Sequence, residues 1–170
     1  MRGPDVGPAF RVDWVRGLPV LRARVLEVPG FRHAFTTRHY PARDHEVLRD
    51  LDFDPQRVVE AEQVHGGAVV PVDGTAGGRV AGADGLWTDR PGLVLRVRSA
   101  DCLPVLVADP RTGRVAAVHA GWRGLGAGIL SRAVQALCEA GSQPEDLRCA
   151  VGPSVGPCCY EVDEPVRWAL

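Results

Sequence analysis

The chain has 170 residues, 45% of them hydrophobic, and a formal net charge of -1. That is enough for one packed domain and too little for two of ordinary size. Acidic and basic residues are interspersed, leaving no electrostatic footprint for nucleic acid or an anionic membrane, and all 20 basic residues are arginine, which removes Schiff-base lysines and the P-loop clamp.

The longest apolar run, Leu103 to Ala108, contains a proline and falls far short of the roughly 20 residues a membrane span needs. Pro4, Asp5, Gly7 and Pro8 interrupt the start of the chain where a signal peptide would be continuously apolar. Five cysteines is an odd count, and Cys158 and Cys159 are adjacent, where a normal disulfide is hard to close. These features predict a reduced, cytoplasmic protein with no membrane partner.

In chain order, residues 1–30 hold Pro4, Pro8, Pro19 and Pro29 with little periodicity, and read as an arm. Phe31 to Thr36 is the first candidate strand. Val47, Leu48 and Leu51 stand at helical spacing in Arg43 to Asp52, which stops before Asp54-Pro55. Arg57 to His65 and Ala68 to Val72 read as two short strands joined around Gly66-Gly67, and Thr75 to Ala83 as a flexible connector. Strands are expected at Leu93 to Arg98, Pro104 to Ala108 and Arg114 to His119, the last two forming a hairpin through the Asp109–Gly113 turn. Leu125 to Glu139 puts Leu125, Ile129, Ala133, Ala136 and Leu137 on one helical face, with Gly141 as its stop, and Leu147 to Val151 is a further strand. This mixture predicts an α+β fold, mixed sheets packed as a sandwich with helices outside, in a single domain over 31–170.

Three positions at predicted strand ends carry chemistry: His65, Cys102 and His119. Two histidines and a thiolate can bind zinc and leave a fourth position open, as catalytic sites do, and zinc brings the pKa of its bound water toward neutrality. The three lie far apart in the chain, so spacing leaves a second reading open: a strand cysteine is ordinarily a small buried hydrophobe, and a strand-end histidine a hydrogen-bonded structural group. His119-Ala-Gly-Trp-Arg-Gly124 runs from a strand into the best helix. It is either an anion site, with backbone N–H groups and the Arg123 fork, or a tight turn whose arginine faces water. Arg38 is a second candidate anion contact, with a surface arginine as the alternative. Cys138 and Cys149 fit core positions. Cys158-Cys159-Tyr160 either lines a pocket or packs, and His33, His39 and His45 form no ligand set.

Taken in order, Gln63-Val-His-Gly66, Ser99-Ala-Asp-Cys-Leu-Pro104, His119-Ala-Gly-Trp-Arg-Gly124 and Gly152-Pro-Ser-Val-Gly-Pro-Cys-Cys-Tyr-Glu-Val162 resemble the YfiH-like laccase-domain family. The resemblance runs from about Phe31 to Leu170, and Phe35-Thr-Thr-Arg38 matches the family's N-terminal arginine motif. It implies a purine nucleoside phosphorylase with adenosine deaminase and methylthioadenosine phosphorylase activity, its zinc held by His65, Cys102 and His119. It also implies a nucleoside and phosphate as small-molecule partners, with Arg38 and Arg123 binding the phosphate or substrate, in a monomer. Two departures stand out. His39-Tyr-Pro-Ala-Arg-Asp44 replaces a glycine-rich stretch, and the family's C-terminal helix, strand and aromatic arginine motif are not in the chain.

Other readings compete with this one. Cys102 and His119 can serve as nucleophile and base of a hydrolase acting on a peptidoglycan-precursor amide. A copper-dependent polyphenol oxidase, which the family's name suggests, is disfavoured because five histidines are too few for a multicopper cluster. A nucleoside-binding module without turnover is the non-enzymatic alternative.

Overall fold

A computed structural model describes residues 7–39, 44–74 and 77–170. Outside them lie residues 1–6 of the expected arm, the start of the expected helix at Arg43, residues 40–43 of the departure after Arg38, and the first two connector residues, Thr75 and Ala76.

The centre is a five-stranded sheet. Its strands are β5 (Val69–Pro71), β7 (Gly85–Thr88), β9 (Leu103–Ala108), β10 (Val115–Ala120) and β11 (Arg148–Val151), in the order β11-β9-β10-β7-β5. The β9-β10 hairpin is antiparallel and closes at Asp109, whose buried carboxylate accepts the N–H groups of Arg111 and Thr112. Alternation along these strands gives the sheet two apolar faces. Val105, Val107, Ala116, Val118 and Ala120 pack on one side against Ile129, Ala133 and Leu137 of helix α3 (Ile129–Glu139).

The opposite face carries two three-stranded sheets. In the first, β1 (Phe10–Val15), β2 (Leu18–Ala23) and β3 (Phe35–Thr36) are antiparallel, and Leu21, Ala23, Leu26 and Phe35 pack with Ala108 and Ala150. In the second, β4 (Val58–Ala61) is flanked by β6 (Gly78–Val80) and β8 (Val94–Arg96), both parallel to it, with Val59, Ala61 and Leu93 packed against Leu86 of β7. Helix α1 (Asp44–Asp50) precedes β4, α2 (Trp122–Gly126) links β10 to α3, and α4 (Glu164–Ala169) packs on α2. Mixed sheets with a few outer helices make an α+β fold, as predicted. No helix among the described residues is long and apolar enough to cross a membrane.

Several local expectations are corrected. The segment read as an arm holds the β1-β2 hairpin, because Val12, Leu21 and Ala23 have partners across the domain that a local reading cannot see. β4 and β5, the two short strands expected around Gly66-Gly67, belong to different sheets, and the chain crosses between layers through residues 62–68. The connector contains β6. A Cβ on Gly77 would lie 2.6 Å from the Val58 carbonyl, so that glycine marks close backbone packing rather than flexibility. The long helix is two helices, because Gly128 adopts left-handed φ of 73°. Gly141 does stop α3: with φ of 105° it donates to the Cys138 carbonyl while Ser142 donates to Leu137, a Schellman closure. β7 and α4 were not anticipated.

His33 is buried between these layers, its Nε2 accepting the Ala23 N–H at 2.8 Å. Burial, reinforced by the Arg22 charge, pushes its pKa down to about 4. The unfolded chain, with a histidine pKa of about 6.5, therefore binds more protons below that value. The stability this residue contributes is complete above pH 6.5 and is lost as pH falls toward 4. The slope of unfolding midpoint against pH over that window should be shallower in His33→Leu than in the parent.

Candidate metal centre

The sheet registers assemble the site. In the β9-β10 hairpin the last pair is Ala120 with Leu103, so the next residue outward on one strand is Cys102 and on the other Gly121. In the β7-β10 pair the last register is Val118 with Gly85, which places His119 beside Asp84. β5 runs parallel to β7 with Val69 opposite Gly85, and the residues just before β5 carry His65. Four strand ends thus converge at one edge of the central sheet. There His65, Cys102 and His119 each offer a ligand atom, and these atoms all lie within 4.8 Å of one another.

Asp84 organises this edge, and sequence reasoning missed it. Its side chain is completely buried. Oδ1 accepts the His65 backbone N–H at 2.9 Å, and Oδ2 accepts those of Val64 at 3.1 Å and Gly66 at 2.8 Å. Oδ1 also meets His119 Nδ1 at 2.9 Å, while the His119 N–H donates to the Asp84 carbonyl at 2.7 Å. A carboxylate serving three N–H donors is an acceptor, so the His119 proton is assigned to Nδ1 and Nε2 keeps its lone pair for a ligand. This carboxylate–histidine arrangement is the one that orients metal-binding imidazoles. The available signal was a single acidic residue just before an apolar strand, next to glycines read as a connector.

The His65 loop holds unusual backbone. Gln63 and His65 have φ of 64° and 59°, a left-handed conformation that costs a non-glycine residue of order 1–3 kcal/mol. It is held by the Asp84 bonds and by Gln63, whose side-chain amide donates to the Arg98 carbonyl at 2.6 Å and accepts the Arg98 N–H at 2.7 Å. Glycines bring the neighbours close. A Cβ on Gly121 would sit 3.1 Å from both Cys102 Sγ and His65 Cδ2, and one on Gly124 would sit 2.8 Å from the Gly66 carbonyl oxygen. The sulfur and imidazole close in over a residue with no side chain.

The three groups differ in exposure: His119 is buried, Cys102 half-buried and His65 exposed, so the cluster is rooted in the core and opens outward. The His65 and His119 rings meet edge to face, with centroids 4.9 Å apart. Ser99 Oγ donates to the Cys102 carbonyl and fixes the turn before β9. Burial raises the pKa of the Cys102 thiol, and the Asp101 and Asp84 carboxylates add to that shift. Two imidazoles and one sulfur around a glycine cradle suit a divalent ion of zinc's ligand preference.

The two candidate anion-binding arginines, Arg38 and Arg123, occupy different settings. Arg38 is exposed and lines a broad cleft between the β1-β2-β3 sheet and β8. The cleft reaches Ser99 and Asp101 in the turn before Cys102, but His65, Cys102, His119 and Arg123 do not line it. Arg123 is exposed and stacks its guanidinium 4.2 Å from the Trp122 ring centre. Its helix α2 has only five residues, too short for a strong N-terminal dipole, so the helix itself adds little to anion binding here.

Comparison with known proteins bears on this geometry. The family model described as multi-copper polyphenol oxidoreductase laccase matches residues 35–170. The chain belongs to this laccase-domain family, that of the YfiH-like proteins. Within it, the chain is 44% identical over 128 residues to "Purine nucleoside phosphorylase ORF3" of Streptomyces griseus, covering 74% of this chain and 52% of that protein. It is 39% identical to the purine nucleoside phosphorylase of Deinococcus radiodurans, covering 88% of this chain and 66% of that one. The crystal structure of YlmD from Geobacillus stearothermophilus superposes with a TM-score of 0.67 at 36% identity, over 74% of this chain and 50% of that one. The chain thus spans about half the length of several laccase-domain relatives it matches. The family description names copper, while the relatives' names state phosphorolysis of purine nucleosides.

Proposed function

We propose that this chain is a zinc-dependent, cytoplasmic purine nucleoside phosphorylase, with adenosine deaminase and methylthioadenosine phosphorylase activity at the same centre. The observation that carries this reading is the convergence of His65, Cys102 and His119 ligand atoms within 4.8 Å on a framework fixed by Asp84. The names of the relatives support the substrate class. Zinc bound there would supply a Lewis acid and a lowered pKa for coordinated water. The chain's own residues do the rest. His65, Cys102 and His119 hold the ion, Asp84 keeps the His119 proton on Nδ1, and Arg38 and Arg123 bind phosphate or substrate by charge-assisted hydrogen bonds. In phosphorolysis a phosphate oxygen bonds to the ribose anomeric carbon as the bond to the purine nitrogen breaks.

The competing hydrolase reading needs an activated thiolate at Cys102. The metal reading is favoured because a second imidazole, that of His65, converges on the same sulfur, a third donor that a Cys–His nucleophile pair does not require. Zinc is preferred to a copper cluster because the chain's five histidines are few for a multinuclear centre.

The test is elemental analysis of the purified chain together with chromatography of its reaction with inosine and phosphate. One zinc per chain and release of hypoxanthine with ribose 1-phosphate, lost on chelation and restored by zinc, is the expected result. Turnover that survives chelation and is blocked by thiol alkylation would replace this reading with the cysteine hydrolase. Bound inosine without product would replace it with a binding module.

A further inference from the structure

A second sulfur cluster lies outside the metal centre. The loop leaving β11 is anchored at Gly152, which donates to the Pro104 carbonyl at 2.8 Å, and at Val155, which donates to the Asp101 carbonyl at 3.0 Å. It ends in a turn closed by the Cys159 N–H on the Gly156 carbonyl at 3.0 Å. Adjacent side chains on an extended strand point to opposite sides. In this turn they do not: Cys158 Sγ and Cys159 Sγ lie 3.2 Å apart, and both residues are exposed.

We propose that Cys158 and Cys159 form a chelating site for one thiophilic trivalent metalloid, arsenic(III) as arsenous acid or an organoarsenical. The number of donors and the bite both fit this class. With metal–sulfur bonds of about 2.3 Å, a 3.2 Å separation subtends an angle of about 88° at the bound atom. Tetrahedral zinc asks for about 109° and two further ligands, whereas a pyramidal trivalent centre takes a near-right angle and is satisfied by two sulfurs and one oxygen or carbon. The His65, Cys102 and His119 cluster offers one sulfur and no such chelate. Joining both sulfurs in one turn makes the second bond intramolecular, which is the source of affinity.

The chemistry balances without a change of oxidation state. Arsenous acid and two thiols form two arsenic–sulfur bonds while two arsenic–oxygen bonds break, and each thiol proton leaves on a hydroxyl as water. With phenylarsine oxide the single oxygen leaves as one water carrying both protons.

The experiment titrates the zinc-loaded chain with phenylarsine oxide and counts reactive thiols. One equivalent should remove two thiols, reversibly with a small dithiol but not with a monothiol. Cys158→Ser and Cys159→Ser should each weaken binding by about 100-fold or more, the advantage that joining two sites provides. Both positions are exposed, so circular dichroism matching the parent is expected and separates lost binding from lost fold. Undiminished binding in Cys159→Ser would overturn the proposal, as would a pair already closed to a disulfide in the reduced-buffer preparation.

Discussion

Cys102→Ser is expected to purify with almost no zinc and to lose phosphorolysis in proportion. Serine is close in size, and the position is half-buried at the mouth of β9, so the β9-β10 hairpin should close as before. What changes is the donor. A thiolate becomes a hydroxyl that stays protonated at neutral pH, and two imidazoles are left to hold the ion. The loss should exceed the roughly 10–100-fold cost of disturbing an outer partner of a metal ligand, because a ligand itself is removed. Competition with a chromogenic chelator gives the affinity, and thermal unfolding of the metal-free proteins checks the fold. Full zinc occupancy in this variant would remove Cys102 from the centre.

Asp84→Asn should produce the second largest effect, by a different route. The carboxylate oxygens accept three backbone N–H groups and His119 Nδ1 in a fully buried position. An asparagine retains one accepting oxygen and turns an NH2 group toward donors. One or more of these part-buried N–H groups then loses its acceptor, at up to about 1–3 kcal/mol each. For a domain of this size each kcal/mol lowers the unfolding midpoint by roughly 2–4 °C. The His119 tautomer also loses its anchor, and zinc affinity should fall about 10–100-fold. Measuring both proteins without metal isolates the stability loss. Unchanged zinc affinity would reduce Asp84 to a purely structural role, leaving the three-ligand centre intact.

The parts of the site visible in the sequence were the candidate ligands, and the part hidden was their support. His65, Cys102 and His119 each lie within two residues of a glycine or proline, near a strand boundary read from the sequence, a local signal. Their convergence depends on pairings between strands distant in sequence, which spacing does not encode, and resemblance to a family supplied that link. Asp84 announced nothing locally, because its four partners come from the 64–66 loop and from β10. The same limit explains the fold. The β9-β10 hairpin and α3 were legible because their signals are short-range: a turn with Asp109 and Gly113, and apolar spacing ending at Gly141. The β1-β2 hairpin and β6 were not, since what makes them strands is an apolar face or a backbone neighbour contributed from elsewhere. Gly128 broke the predicted helix because a pattern of apolar residues does not register one left-handed residue.

The pairing of Ala120 with Leu103 also has a bearing on when the ion can be acquired. A slip of one residue between those strands would turn the imidazole at 119 onto the helix-packed face and carry the sulfur out of reach. An unfolded or mispaired chain therefore has no preformed triad to offer. Zinc would not guide the sheet together; it would select chains already correctly assembled and hold them there by mass action, so that metal content in a preparation reports the fraction with the right strand alignment.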